Sequence, residues 1–165
     1  MTADEILYKL AARCSVSEQC LSDIETKLSR YDLTEEERAA ILRRLVEEKY
    51  VDDSRYAEAF VRDKYRFNKW GRIKIVHGLR MKGIESNTIS EAMCVIDEKE
   101  YLCILRDLLK VKRRSTRGKN DYEINGKLYR FAVGRGFEFA AIRQCLGDSD
   151  IDEYDLADTN CEDWD

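Results

Sequence analysis

The stretch from residue 50 to residue 84 reads YVDDSRYAEAFVRDKYRFNKWGRIKIVHGLRMKGI, and its two halves differ in chemistry. In the first half, Asp52, Asp53 and Arg55 stand between aromatic residues at the predicted start of a helix. In the second half, Lys and Arg alternate with aromatic and aliphatic residues. Between Arg55 and Lys82, nine basic residues stand against two acidic ones, a net charge of +7 in a chain that carries −4. This reversal makes the stretch the main candidate for contact with an anionic partner.

The composition predicts helices throughout the chain. Its 165 residues include no proline and eight glycines, while Leu, Glu, Arg, Lys and Ala are plentiful. Proline is the strongest helix breaker, and these five residue types are among the best helix formers. An apolar content of 44% is enough to bury a core in one domain or in a few small repeated units. We therefore expect an all-α protein.

The cysteines and the single histidine do not indicate a metal site. The six cysteines include no CxxC pair, and His77 has no thiol close to it in the sequence, whereas zinc sites use paired ligands at short spacing. The N-terminus lacks the apolar region of a signal peptide, and no apolar run approaches the roughly 20 residues that span a bilayer. We expect reduced cysteines in a cytoplasmic protein without metal, cofactor or membrane contact.

Helix signals divide the chain into short segments. Capping boxes stand at Thr2–Glu5 and Thr34–Glu37, and Ser17 is the predicted cap of a helix between them. A helix that begins at Asp52 or Asp53 should end near the Trp-Gly pair at 70–71. The glycine at 83 is expected to end the next helix in a left-handed conformation.

Two polar segments follow. The stretch KRRSTRGKNDYEING at 112–126 is predicted to be a loop, and its basic residues could bind phosphate, bind an acidic partner or only keep the loop soluble. Residues 148–165 contain nine acids and no Lys or Arg, so we expect a disordered tail. The tail could compete with DNA for a basic surface, or it could serve solubility alone.

An internal repeat emerges when the turns are superimposed. LSRYDL at 28–33, LRMKGI at 79–84 and AVGRGF at 132–137 lie 51 and 53 residues apart, each an apolar helix end, a polar turn and an apolar residue. This period indicates tandem three-helix repeats, each too small to bury its own faces well. We place them at residues 1–50, 51–97 and 98–147, before the tail at 148–165.

These motifs resemble the RecX family of bacterial regulators of the recombinase RecA. The resemblance is carried by YVDDSRYA at 50–57, by the Trp-Gly pair at 70–71, by Lys-Gly-Ile at 82–84 and by Arg-Gly-Phe at 135–137, in that order. It extends from about Leu7 to Leu146. It implies three tandem, winged-helix-like but entirely helical repeats in an elongated, curved arrangement.

The resemblance also implies a function. RecX proteins are not enzymes; they bind the groove of the RecA–DNA filament and act mainly as inhibitors, which affects recombination, DNA repair and the SOS response. We expect a monomer whose direct DNA binding is weak and non-specific. The residues expected to contact RecA or DNA are basic: Arg62, Arg66, Lys69, Arg72, Lys74, Arg80, Lys82, Lys112, Arg113, Arg114, Arg130 and Arg135. The residues expected to have structural roles in the family motifs are Tyr50, Asp52, Asp53, Arg55, Tyr56, Gly71, Gly83 and Gly136.

Alternatives remain at this level. Phe67 and Trp70 could stack on bases or on a partner, or both could belong to the core. One of Asp52 and Asp53 is expected to cap a helix and the other to pair with a basic side chain of a neighbouring repeat, since two adjacent carboxylates provide too few ligands for Mg²⁺ or Ca²⁺. The alternative function is a helical DNA-binding transcriptional regulator, which sequence-specific operator binding would distinguish from a RecA regulator.

Overall fold

A computed structural model of the chain describes residues 1–147, and within this range it contains nine α-helices and no strand. The predicted all-α class is therefore confirmed. The helices are α1 (Ala3–Val16), α2 (Leu21–Leu28), α3 (Glu35–Glu47), α4 (Asp53–Arg66), α5 (Arg72–Met81), α6 (Ser86–Met93), α7 (Glu98–Ser115), α8 (Asp121–Gly134) and α9 (Phe139–Leu146). No helix of the described part is long and apolar enough to cross a membrane. The predicted acidic tail lies outside the described residues.

The chain divides into two compact units. The first comprises Met1–Phe60 and Leu79–Ala92, and the second comprises Val61–Gly78 and Met93–Asp165, of which the structure describes the part up to residue 147. Helices α4 and α5 each contribute residues to both units. The predicted repeat boundaries at residues 50, 97 and 147 stay a prediction.

The first unit has a core built by α1, α2 and α3. Apolar residues at helical spacing on these helices are almost fully buried, and the partly buried Tyr31 and Tyr50 pack against them. The buried members are Ile6, Leu7, Leu10, Cys14, Ile24, Leu28, Ile41, Leu45 and Val51. Their spacing follows from the 3.6-residue period, which places every third or fourth side chain on the same face of a helix.

The second unit has its core among α7, α8 and α9. Three aromatic side chains, Tyr101, Tyr129 and Phe137, are at most 2% exposed, and Leu105, Leu128 and Ile142 are fully buried. Residues of α4 and α5 that belong to this unit, Tyr65 and Ile75 among them, are also fully buried.

The helix caps confirm two predictions and correct a third. The hydroxyls of Thr2 and Thr34 accept hydrogen bonds from the N–H groups of Glu5 and Glu37, so both capping boxes are present. Ser17 does not begin α2. Instead it is the C-cap residue of α1, where its N–H donates to the carbonyl of Arg13. Three further residues separate it from the start of α2 at Leu21.

Two further predictions about helix bounds are wrong. Helix α4 ends at Arg66, not near residue 70. Residues 112–115 belong to the last turn of α7, and only 116–120 connect it to α8. The polar composition of this stretch suggested a loop, but Lys and Arg are good helix formers and cations are stabilised at a helix C-terminus. Asn120 then caps α8 by accepting from the N–H of Glu123.

Candidate partner-binding surface

The two aspartates and Arg55 form local and tertiary caps in the first unit. The Oδ1 atom of Asp52 accepts from the N–H of Arg55 at 3.1 Å and so caps α4, as predicted. The Oδ1 atom of Asp53 accepts from the N–H of Leu21 at 2.9 Å. Asp53 thus caps α2, whose own N-cap residue, Cys20, makes no side-chain bond to it. The expected pairing of the second aspartate with a basic side chain is therefore wrong. The carboxylate of Asp53 instead accepts from an N–H group at the start of α2, which has no acceptor within its own helix.

Arg55 completes this arrangement from the other side. Its Nε atom donates to Oε1 of Glu18 at 2.6 Å, and its Nη2 atom donates to the carbonyl of Lys49 at 3.0 Å, just after the end of α3. Lys49 has a positive φ of 59°, which an arginine bound to its carbonyl helps to hold. No group of three or more potential metal ligands occurs within residues 1–147. We propose from the contacts of these side chains with backbone groups that the motif has a structural role.

Lys82 is held by α2 in the same unit. Its Nζ atom donates to Oδ1 of Asp23 at 2.8 Å, and its carbonyl accepts from the hydroxyl of Ser22 at 2.6 Å. Gly83 follows with a φ of 73°, which confirms the predicted left-handed glycine. Burial alone would raise the pKa of Asp23, but the hydrogen bonds from Lys82 and Cys20 outweigh it and the pKa lies below its ordinary value.

Arg72 lies at the centre of a network in the second unit. Its Nη1 atom donates to Oε2 of Glu138 at 2.8 Å, and its Nη2 atom donates to Glu98. The hydroxyl of Tyr101 donates to the other oxygen of Glu138 and accepts from the backbone N–H of Arg72 at 3.0 Å. Burial and the hydrogen bond with Glu138 raise the pKa of Tyr101 far above its ordinary value. The charge of Arg72 is therefore compensated within the fold.

Two glycines allow the backbone of residues 71–74 to contact the turn at 134–137. The N–H of Gly71 donates to the carbonyl of Arg135 at 2.8 Å, and the N–H of Ile73 donates to the carbonyl of Gly136 at 3.0 Å. A Cβ atom at Gly71 would lie 2.2 Å from the carbonyl carbon of Gly136. Gly136 also has a φ of 92°. Both motif glycines are thus required by a close approach that the sequence did not reveal.

Arg135 contributes to the same junction. Its Nη2 atom donates to the carbonyl of Asn68, and also to that of Lys69 at 3.3 Å. Burial lowers the pKa of this arginine. Lys69 itself has a positive φ of 56°, so Arg135 binds a turn of unusual backbone conformation. This contact assigns Arg135 a structural role, whatever else it binds.

The two aromatic residues of the basic stretch have different environments. Phe67 is 78% exposed, so the alternative that both aromatics belong to the core is wrong for Phe67. Trp70 is half-buried, with the Nζ atoms of Lys64 and Lys74 at 4.7 Å and 4.5 Å from its ring centre. Lys74 is only 6% exposed, so its charge is stabilised next to an aromatic ring instead of being presented to solvent.

The remaining predicted contact residues fall into three groups. Arg66 binds the Glu100 carboxylate, with Nε to Oε1 at 2.9 Å, and Arg62 also has an interaction within the fold. On α7, Lys112 lies 4.9 Å from the ring centre of Phe131, and Arg113 donates to Oδ1 of Asn125 at 2.6 Å. The third group is exposed and has no ion pair among residues 1–147: Lys69, Arg80, Arg114 and Arg130.

The sequence interpretation missed the acidic partners of these cations. Glu98 and Glu100 lie in the first turn of α7, and Glu138 is the N-cap residue of α9. Acidic residues at helix starts are stabilised by the helix dipole. This preference could have predicted where these glutamates lie on their helices, but not which cations they bind. No local spacing relates them to Arg66 or Arg72, which precede them by 26 to 66 positions.

Comparisons with known proteins identify the class as a helical-repeat protein. A structure of RecX from Lactobacillus salivarius aligns with a TM-score of 0.76 at 20% identity, over 87% of this chain and 94% of that one. A second RecX structure aligns with a TM-score of 0.78 at 23% identity, over 89% and 73%. At these identities the likeness shows the fold, and it confirms the predicted all-α helical-repeat architecture.

Sequence comparisons then establish the family. The model of the second three-helix domain of RecX matches residues 52–93, and that of the third matches residues 98–146. A regulatory protein RecX from Chlorobium phaeobacteroides is 32% identical over 146 residues, 88% of this chain and 94% of that protein. One from Clostridium acetobutylicum is 29% identical over 150 residues, 87% of this chain and 69% of that protein. The chain belongs to the RecX family of regulatory proteins.

Proposed function

We propose that the chain regulates the RecA recombinase, mainly as an inhibitor, by binding the groove of the RecA–DNA filament. It would thereby modulate recombination, DNA repair and the SOS response in the cytoplasm. The observation that carries this proposal is membership of the RecX family, through both family domains and through relatives named regulatory protein RecX. Under this proposal the protein acts as a monomer and catalyses no reaction.

The distribution of charge supports binding to an anionic filament. Residues 1–147 contain all 29 basic residues and 24 of the 33 acidic ones, so this part of the chain carries +5. A protein that neutralises phosphates gains free energy by counterion release, and the gain scales with the number of cations that are free to make the contact. Weak and non-specific DNA contact fits a chain that pairs many of its arginines internally.

The structure suggests which cations are available for such contact. Lys69 and Arg80 are exposed and have no ion pair in the described part of the chain, and Phe67 is exposed two residues before Lys69. Arg66 and Arg72, by contrast, are engaged by carboxylates. We therefore propose that Lys69, Arg80 and Phe67 contribute more to binding than Arg66 or Arg72.

The test is the DNA-dependent ATPase activity of RecA, measured with increasing amounts of this protein. We expect inhibition that saturates near stoichiometric coverage of the filament. No effect at equimolar protein and RecA would contradict the proposal.

A pair of variants tests the contact residues. The double variant Lys69→Gln/Arg80→Gln should weaken inhibition severalfold, because two unpaired cations are removed. The matched control is Arg43→Gln/Lys99→Gln, which removes two other exposed cations that have no ion pair within residues 1–147. Charge reversal at Arg72 would not be informative, since it breaks the network with Glu98 and Glu138. An equal loss of inhibition in both double variants would show that inhibition depends on the net charge of the protein and not on Lys69 and Arg80 in particular.

A further inference from the structure

A cleft on the first unit is lined by four basic side chains. Lys9 and Arg13 contribute to it from α1, and Lys27 from α2; Arg30 and Tyr31, from the turn after α2, complete it. Leu10, which is 3% exposed, forms its apolar base. The cleft has a volume of about 240 Å³. This is below the roughly 300–1,000 Å³ of pockets for drug-sized ligands, and it suits a small charged group.

The geometry of the two helices brings these charges together. Lys9 and Arg13 stand four residues apart, so their side chains extend from the same face of α1 on consecutive turns. Lys27 lies in the last turn of α2 and Arg30 in the turn that follows it, close to the helix C-terminus, where cations are stabilised by the helix dipole. No acidic residue lines the cleft.

Three of the four cations of the cleft have no ion pair within the described residues. Lys9, Arg13 and Arg30 make no ion pair there. Lys27 donates to the neutral Oε1 atom of Gln19, and the carboxylate of Asp23, one turn earlier on α2, interacts with it electrostatically. Arg55 and Lys82, in the same unit, have carboxylate partners. The four like charges around the cleft repel one another, which raises the free energy of the protein. A bound anion would offset this repulsion.

The donor set favours a phosphate group. Two guanidinium groups can each donate two parallel N–H bonds to phosphate oxygens, and two ammonium groups add point charges. We propose that this cleft is a binding site for a phosphate group, whether it belongs to a nucleic acid strand or to a free phosphate. This goes beyond the proposed function, because it requires neither RecA nor the basic residues of α4, α5 and α7.

The proposal is tested on the full chain in the absence of RecA. One arm measures fluorescence anisotropy of a labelled 20-nucleotide oligo-dT at several salt concentrations, and the other titrates inorganic phosphate by calorimetry. The cleft variant is Arg13→Gln/Arg30→Gln, the charge-retaining variant is Arg13→Lys/Arg30→Lys, and the matched control is Arg43→Gln/Lys99→Gln. All three variants should be folded, since the substituted residues are exposed, and thermal melts check this.

We expect the cleft variant to lose affinity at least fivefold in one of the two arms, while the control loses less than twofold. The lysine variant should lie between them, because it keeps the charges but loses the paired N–H bonds of the guanidinium groups. Loss in the oligonucleotide arm identifies a strand phosphate, with a salt slope reduced by about 0.7 for each contact removed. Loss in the phosphate arm alone identifies a free phosphate. Equal affinities of cleft variant and control in both arms would overturn the proposal, as would equally tight, cleft-dependent binding of poly-glutamate.

Discussion

The guanidinium carbon of Arg72 lies 4.1 Å from the ring centre of Tyr101, and the backbone N–H of Arg72 donates to the hydroxyl of the same tyrosine. Glu138 then binds both side chains. One cation, one buried phenol and one carboxylate therefore fix the start of α5 relative to α7 and α9 within the second unit. A residue expected to contact RecA or DNA is thus also central to the fold of this unit.

The first prediction concerns the Tyr101 hydroxyl. Tyr101→Phe should lower the free energy of unfolding by about 1–3 kcal/mol, since it leaves the N–H of Arg72 and an oxygen of Glu138 without their partner in a partly buried site. The control is Tyr129→Phe, because Tyr129 is equally buried but its hydroxyl makes no hydrogen bond within residues 1–147. Urea denaturation measures the free energy of unfolding of both variants. An equal loss in the two variants would show that the hydrogen bonds of Tyr101 do not stabilise the fold.

The second prediction concerns the close approach at Gly71. Gly71→Ala should destabilise the protein by about 1–3 kcal/mol or more, since its Cβ would overlap the backbone of Gly136. Gly126→Ala is the matched control. Gly126 lies inside α8 with open space where the Cβ would stand, so alanine should stabilise the helix by about 0.5–1 kcal/mol. Thermal unfolding should shift in opposite directions for the two variants.

The third prediction concerns pH and the Asp23–Lys82 pair. The folded-state pKa of Asp23 lies below its ordinary value of 3.8. The pair therefore contributes stability above roughly pH 4, and the contribution is lost as the pH falls through the folded-state pKa. Asp23→Asn should cost about 0.2–1 kcal/mol at pH 7, because the pair is partly exposed, and it should flatten the decline in stability below pH 4.

Denaturation curves from pH 2 to pH 7 provide the measurement. Asp32→Asn serves as the control, since Asp32 is exposed and makes no side-chain hydrogen bond among the described residues. A decline at acid pH that is as steep in Asp23→Asn as in the unaltered protein would exclude this pair as its source.

The fourth prediction separates binding from stability at Phe67. Phe67→Ala should change the free energy of unfolding by less than about 0.5 kcal/mol, because the ring is largely exposed. Under the proposed function it should weaken inhibition of the RecA ATPase severalfold. Tyr8→Ala, at an exposed aromatic on α1, is the control and should change neither quantity. Unaltered inhibition by Phe67→Ala would remove Phe67 from the binding surface.

The sequence by itself determined the local features of this protein. Most of the helices were predicted from the capping boxes at Thr2 and Thr34, the left-handed Gly83 and the absence of proline. These signals can be read from the sequence because a helix cap or a turn involves only residues within four or five positions of one another. The same reasoning failed at Ser17 and at residues 112–115, where a polar residue can serve a helix start, a helix end or a solvated face equally well.

Only the tertiary structure decided which charges are available to a partner. The partners of Arg72 lie 26 and 66 positions away, and Asp53 caps a helix that begins 32 positions earlier. Gly71 is required by a backbone 65 residues further along the chain. Such pairings are fixed by the packing of helices, which no local spacing encodes. The +7 charge of residues 55–82 was therefore visible in the sequence, whereas its division into paired and unpaired cations was not.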